Sequence, residues 1–198
     1  GSYKVVSPDG HLSATVVVGK TISYSVSRDA VGLIDASEIS MTLSDGIVFG
    51  ENDKVRKVRK SAVDQVIPTV AYKKSEVRDN YNELSLIFKE FSLVFRAYDE
   101  GVAYRFVSSL KKDGKVLSEK ARFNFAKDWS AYVPYVAQHL ETLESQYWNS
   151  FENTYTVTPL SGTSHLMSVR VQGAQRGVYG GFGVVDGVRS LVVGKTVH

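Results

Sequence analysis

Cysteine is absent from the 198 residues. That removes disulfide scaffolds and thiolate-rich zinc sites, and leaves the compartment open. Histidine is scarce. His11, His139, His165 and His198 are scattered, and no two stand at the i, i+4 spacing of a helical metal site. No apolar run approaches the roughly 20 residues that a membrane-spanning helix needs. The start, Gly1-Ser2-Tyr3, lacks the charged and apolar regions of a leader, and Gly1-Ser2 reads as a cloning scar or a processed end. Charge of one sign is also missing. Against 24 basic side chains stand 21 acidic ones, a net of +3, without the concentrated basic face of a nucleic-acid binder. The one basic cluster is Lys54, Arg56, Lys57, Arg59 and Lys60. In a strand these side chains alternate between both faces, which predicts an exposed or edge strand guarded against foreign pairing. No Gly-x-Ser-x-Gly elbow is present, and Gly180-Gly181-Phe182-Gly183 is not followed by the Gly-Lys-Ser/Thr of a phosphate loop.

What is present is a large apolar fraction, 43%, arranged with a period of two. A chain of this length suits one sandwich domain that buries about 70% of its unfolded surface. Leu12, Ala14, Val16 and Val18 alternate with polar or smaller residues, as do Ile22, Tyr24 and Val26. Gly19-Lys20 between them predicts a two-residue type II′ turn. Ile39, Met41 and Leu43 share one face, and Ile47-Val48-Phe49 returns after Ser44-Asp45-Gly46. Leu84-Leu86-Phe88, Phe91-Leu93-Phe95 and Val102-Tyr104-Phe106 predict a three-stranded meander with turns at Glu90 and at Asp99-Glu100-Gly101. Asp113-Gly114 marks a further turn before Val116 and a strand over Arg122–Phe125. The only helical signal is a turn or two within Val136–Trp148. From 174 onward glycine is dense; Val184-Val185, Leu191–Val193 and Val197 have strand character, although the glycines argue against a well-packed strand there. The fold class expected is all-β, an antiparallel β-sandwich.

Three stretches carry a family resemblance. They are Ser7-Pro8-Asp9-Gly10 with the hairpin ending in Ile22–Val26; Asp79-Asn80-Tyr81-Asn82-Glu83-Leu84 leading to Phe95–Phe106; and Ser150-Phe151-Glu152-Asn153-Thr154-Tyr155 with Pro159-Leu160. Together they resemble the N-terminal domain of glycoside hydrolase family 97, calcium-using α-glucosidases and α-galactosidases. The resemblance covers residues 3–172. It implies a β-supersandwich of the galactose-mutarotase-like type, packed against a (β/α)₈ barrel that holds the catalytic carboxylates, and a periplasmic or secreted setting. Residues 173–198 diverge into a glycine-rich, basic segment. Two explanations stand side by side: a truncated or frame-shifted reading frame, or a short homologue with its own terminal strands.

Glycoside hydrolysis needs two carboxyl groups flanking the bond. Glu141, Glu144 and Glu152 are candidates by type, but sequence spacing places no two of them across a sugar, so no catalytic residue is assigned. Glu141 and Glu144 read as solvated surface groups. The resemblance makes Glu152 the one calcium ligand contributed by this domain; calcium takes six to eight oxygens, so this chain alone is expected to bind none tightly. Trp129, Tyr132, Tyr135, Tyr147 and Trp148 form an aromatic-rich stretch. It suits core or interdomain packing, or sugar stacking, for which Tyr147 and Trp148 are the candidates. Three functions follow: a support for a barrel that lies outside this sequence, a stand-alone module binding α-glucan or a related glycan, or an interaction domain without a sugar ligand. Nucleic acid and a membrane span are not expected.

Overall fold

The computed structural model describes residues 1–70, 73–111, 115–133, 156–159, 168–174, 176–181 and 190–193. Every regular element among them is a β-strand. The chain divides into two compact units, Gly1–Ala126 and Lys127–Gly194.

The first unit is an antiparallel sandwich. Its larger sheet orders β1 (Ser2–Val6), β2 (Leu12–Val18), β3 (Ile22–Arg28), β4 (Val31–Leu43) and β10 (Val116–Ala121), with β5 (Val48–Phe49) and β11 (Asn124–Phe125) also paired to β4. The smaller sheet is β6 (Lys57–Pro68), β7 (Glu76–Ile87), β8 (Phe91–Tyr98) and β9 (Val102–Ser108), in that order. Sequential antiparallel neighbours explain the short turns.

The period-two faces fall where the sequence places them. Leu12, Ala14, Val16 and Val18 are buried, as are Ile22, Tyr24 and Val26. In the smaller sheet Leu84 pairs with Phe95 and Phe95 with Tyr104, while Leu86 pairs with Leu93 and Leu93 with Phe106. These rows meet the larger sheet through aromatic rings. Tyr24 lies 5.9 Å from Phe95 and 5.7 Å from Tyr104, and Phe49 stacks on Phe91 at 4.6 Å. Burying each such side chain stabilises by about 1.5–3 kcal/mol. Burial pushes the Tyr24 hydroxyl far up, with Tyr104 adding to it, and the hydroxyl is satisfied by donating to the Arg122 carbonyl at 3.0 Å. Asn82 of β7 reaches across to the other sheet, its amide donating to Val6 O of β1 at 2.8 Å.

The basic cluster sits at and just before β6, the edge strand of the smaller sheet, where Lys54, Arg56, Lys57, Arg59 and Lys60 are all exposed. The β4–β5 hairpin also forms as expected, with Met41 opposite Phe49 and the Gly46 amide donating to Leu43 O.

Two expectations need correction. The β2–β3 turn is not a two-residue type II′ turn. Val18 pairs with Ile22, so Gly19, Lys20 and Thr21 form the connection, and Gly19 is not left-handed. The cause is tertiary: Thr21 bridges to Glu51 and Ile22 N–H donates to Gly50 O, which takes Thr21 out of the hairpin ladder. The strand expected over Arg122–Phe125 shrinks to the short β11, Asn124–Phe125, with Arg122 and Phe123 separating it from β10, and both strands pair with β4. Ser37, fully buried, sits at the divide: its hydroxyl donates to Asp35 O at 2.7 Å and accepts from Asn124 N–H at 2.8 Å.

In the second unit the strand character of Leu191–Val193 is realised. Its five-stranded sheet orders β13 (Thr156–Pro159), β12 (Ser130–Val133), β14 (Ser168–Ala174), β15 (Arg176–Gly181) and β16 (Ser190–Val193). β15 contains Gly177, Gly180 and Gly181 yet pairs on both sides, antiparallel to β14 and parallel to β16. Ladder hydrogen bonds on two edges outweigh the glycine penalty. The Asp113-Gly114 turn, Val184-Val185, Val197 and the whole of the possible helix at Val136–Trp148 lie outside the described residues.

Candidate functional site

Two side-chain groupings in the first unit bring together residues from the matched stretches. One lies at the end of the sandwich where the Ser7–Gly10 turn meets the β8–β9 turn. Gly10 takes a left-handed φ of 79° and donates its amide to Ser7 O, closing the turn. Asp9 N–H donates to the Asp99 carboxylate at 2.8 Å. The Asp9 carboxylate accepts from Ser7 Oγ at 2.5 Å and His11 N–H at 3.0 Å. Arg28, nearly buried, donates to Asp99 O at 3.2 Å and approaches Asp9 at 4.0 Å and Asp29 at 3.9 Å. Partial burial raises the Asp9 pKa, but Ser7, His11 and Arg28 together outweigh it and hold it below the ordinary carboxylate value. His11 Nδ1 lies 2.5 Å from Asp29. This is a brace rather than an acid–base pair, since every carboxylate in it is engaged in holding backbone or cation.

The second grouping is on the outer face of the smaller sheet. Arg96 Nε donates to Glu83 at 2.8 Å, and its guanidinium covers the Tyr81 ring at 4.2 Å. Tyr81 in turn contacts Tyr98 at 5.1 Å. Burial alone would lower the Arg96 pKa, but the Glu83 carboxylate, then the Tyr98 hydroxyl, reverse this and hold it up. A concavity of about 120 Å³ beside it is lined by Val94, Arg96, Tyr98, Ala103, Tyr104 and Arg105. Pockets that enclose small-molecule ligands run to about 300–1,000 Å³, so this one does not admit a sugar ring. The Arg105 Nε there is buried without a hydrogen-bond partner.

The residues singled out from sequence fare differently. Glu141, Glu144, Tyr147, Trp148 and Glu152 lie outside the described residues, as do Tyr135, His139, His165 and His198. Tyr132 sits in β12. Trp129 is half-buried, with Lys127 Nζ 5.3 Å from its ring centre and its indole nitrogen buried without a partner. Among the described residues no group of three or more His, Cys, Asp or Glu side chains is placed to hold a metal ion. They therefore offer no fit for calcium. Sequence reasoning missed the Asp9–Asp99–Arg28 brace and the Glu83–Arg96–Tyr81 stack. Asp9, Asp99, Glu83 and Arg96 all stand inside matched stretches, but nothing local signals that a turn at residue 9 meets one at residue 99.

The first unit is thus an antiparallel β-sandwich with an aromatic seam between its sheets and a braced end. The family model described as Glycosyl-hydrolase 97 N-terminal matches residues 5–178, and the chain belongs to that family. A retaining alpha-galactosidase from Bacteroides thetaiotaomicron is 42% identical over 161 residues, which make up 80% of this chain and 24% of that protein. Among solved structures, a Glycoside Hydrolase Family 97 enzyme from a Pseudoalteromonas species, in complex with panose, superposes with a TM-score of 0.68 at 22% identity, covering 86% of this chain and 27% of that one. A beta-arabinopyranosidase superposes at 0.72 and 21% identity, over 88% of this chain and 30% of its own. These two share the fold. The chain spans about a quarter of the length of the curated relative it matches.

Proposed function

We propose that this domain is the non-catalytic N-terminal support of a family 97 α-glycosidase, with the reaction carried out by a (β/α)₈ barrel in the complete enzyme. The observation that carries this reading is the pairing of 42% identity over 161 residues with a span of only 24% of the α-galactosidase. The substrate class is an α-galactoside or α-glucoside in a periplasmic or secreted enzyme. Calcium belongs to the same proposal, with Glu152 giving one oxygen to a site completed by the barrel. It rests on the Phe151-Glu152-Asn153 stretch alone. Tyr147 and Trp148 would lie in the same region and pack against the barrel or a sugar.

The test is removal of the domain from the complete enzyme. The expected result is a barrel that loses thermal stability and, with it, turnover of a nitrophenyl α-galactoside or α-glucoside. An enzyme lacking the domain that keeps its melting temperature and rate contradicts the supporting role. Millimolar or tighter binding of maltoheptaose to this chain alone would instead favour a glycan-binding module.

A further inference from the structure

Three arginines of the first unit are partly buried: Arg28, Arg96 and Arg105. Arg28 approaches the Asp9 and Asp29 carboxylates, and Arg96 donates to Glu83. Arg105 has no carboxylate partner among the described residues, and its Nε is buried without a hydrogen-bond acceptor. Native chains rarely leave a buried donor unpaired. A guanidinium also cannot escape by losing its proton, so an unpaired one calls for an anion.

The strand pairing explains why the sheet supplies none. Arg105 stands in β9 directly opposite Val94 of β8. On the same outer face, Arg96 is its diagonal neighbour, opposite Ala103. Glu83 lies one strand further, opposite Arg96, which takes its carboxylate at 2.8 Å. β9 is the edge of the sheet, so no strand beyond it brings an acid. Between these side chains lies the concavity of about 120 Å³, lined by two cations and no acid. It is too small for a sugar ring but holds several waters, and hence a carboxylate group or a phosphate. Val94, only 7% exposed on this outer face, gives it an apolar floor, where a charge pair is screened less than on open surface.

We propose that this concavity is a binding site for a small oxyanion, a carboxylate or inorganic phosphate, with Arg105 as its principal ligand. Arg105 donates its Nε–H and a terminal N–H to two oxygens of the anion, the fork arrangement that guanidinium makes with carboxylate and phosphate. Arg96, fixed by Glu83 and by the Tyr81 ring, adds a second positive charge. A halide has no pair of oxygens to match the fork, so oxyanions are preferred over chloride.

The test is a nuclear magnetic resonance titration of the ¹⁵N-labelled chain, in which acetate or inorganic phosphate replaces chloride at fixed pH and ionic strength. Arg105→Lys, which keeps the charge and the apolar stem, identifies the Arg105 Nε–H signal by its loss. The expected result is a saturable shift of that signal with acetate, phosphate or both, the pattern telling a planar from a tetrahedral ligand. Followed at the Ala103 amide, Arg105→Lys should weaken binding by about fivefold or more, because an ammonium offers no fork. Arg78→Gln, which breaks an exposed ion pair outside the concavity, should leave the affinity unchanged. Three results overturn the site: shifts that stay linear to about 100 mM of either anion, a smaller loss in Arg105→Lys, or an equal loss in Arg78→Gln. If Arg105→Lys fails to fold, saturation or its absence in the natural chain decides.

Discussion

The Asp9 amide donates to the Asp99 carboxylate across 2.8 Å, although the two residues stand 90 apart in the chain. One bond thus ties the turn between β1 and β2 to the turn between β8 and β9, and so one sheet to the other. Asp99→Ala removes the acceptor while leaving the Asp99 carbonyl for Arg28. It should lower unfolding stability by about 1 kcal/mol, as loss of a single hydrogen bond does. Glu100→Ala, on the neighbouring exposed residue, should change it by less than about 0.5 kcal/mol. Urea midpoints of the two variants decide between a brace and an incidental contact.

The same brace predicts a pH dependence. Partial burial raises the Asp9 pKa, but Ser7, His11 and Arg28 outweigh it, so the folded value lies below the ordinary 3.8. The stability this carboxylate contributes is therefore present above 3.8 and lost as the pH falls through its folded value. Asp9→Asn should be less stable than the natural chain at neutral pH, and the gap should close in acid. A gap that stays constant from pH 7 to pH 2.5 would show that the charge of Asp9 contributes nothing.

Two backbone positions give opposite expectations. Ala30 holds a left-handed φ of 65° beside Asp29 at 47°, in the tight turn joining β3 to β4. Left-handed alanine costs about 1–2 kcal/mol, which glycine offsets in part by its own entropy loss, so Ala30→Gly should stabilise by about 0.5 kcal/mol. Gly50 has a φ of 101°, and a Cβ there would stand 2.8 Å from Ile39 O. Gly50→Ala should destabilise by at least about 2 kcal/mol. Thermal melts of both variants check the signs.

The exposed cations of β6 predict solution behaviour. Lys57, Arg59 and Lys60 keep an open, twelve-residue edge from pairing with another sheet. Replacing all three with threonine should leave the fold intact and cause concentration-dependent association, visible by light scattering. A triple variant that stays monomeric up to millimolar concentration contradicts the protective role.

Much of this architecture is legible in the sequence because alternation is a local signal. Leu84, Leu86, Phe91, Leu93, Phe95, Val102 and Tyr104 announce both strands and faces, and the charges of β6 announce an edge. The parts not legible depend on partners distant in the chain. The first half of β4 is hidden because Asp35 and Ala36 break the alternation where the pairing with β3 is irregular. The β2–β3 turn is set by contacts to Gly50 and Glu51, and β15 forms because two neighbours hold it. The Asp29-Ala30 turn carries no glycine to mark it. For the candidate site, the family motif pointed to Glu152 and the aromatic-rich stretch to Tyr147 and Trp148, all outside the described residues. The braces that are described join residues whose proximity no local pattern records.

The claim at the centre of this account is that the chain is a family 97 N-terminal domain without catalysis of its own. Its most direct test is a stopped assay of the pure 198-residue chain, with calcium present, on nitrophenyl α-galactoside and α-glucoside. The account predicts nitrophenol release no faster than the buffer blank. Steady release that is abolished by changing one carboxylate of this chain, Glu83→Gln or Glu152→Gln, would contradict it.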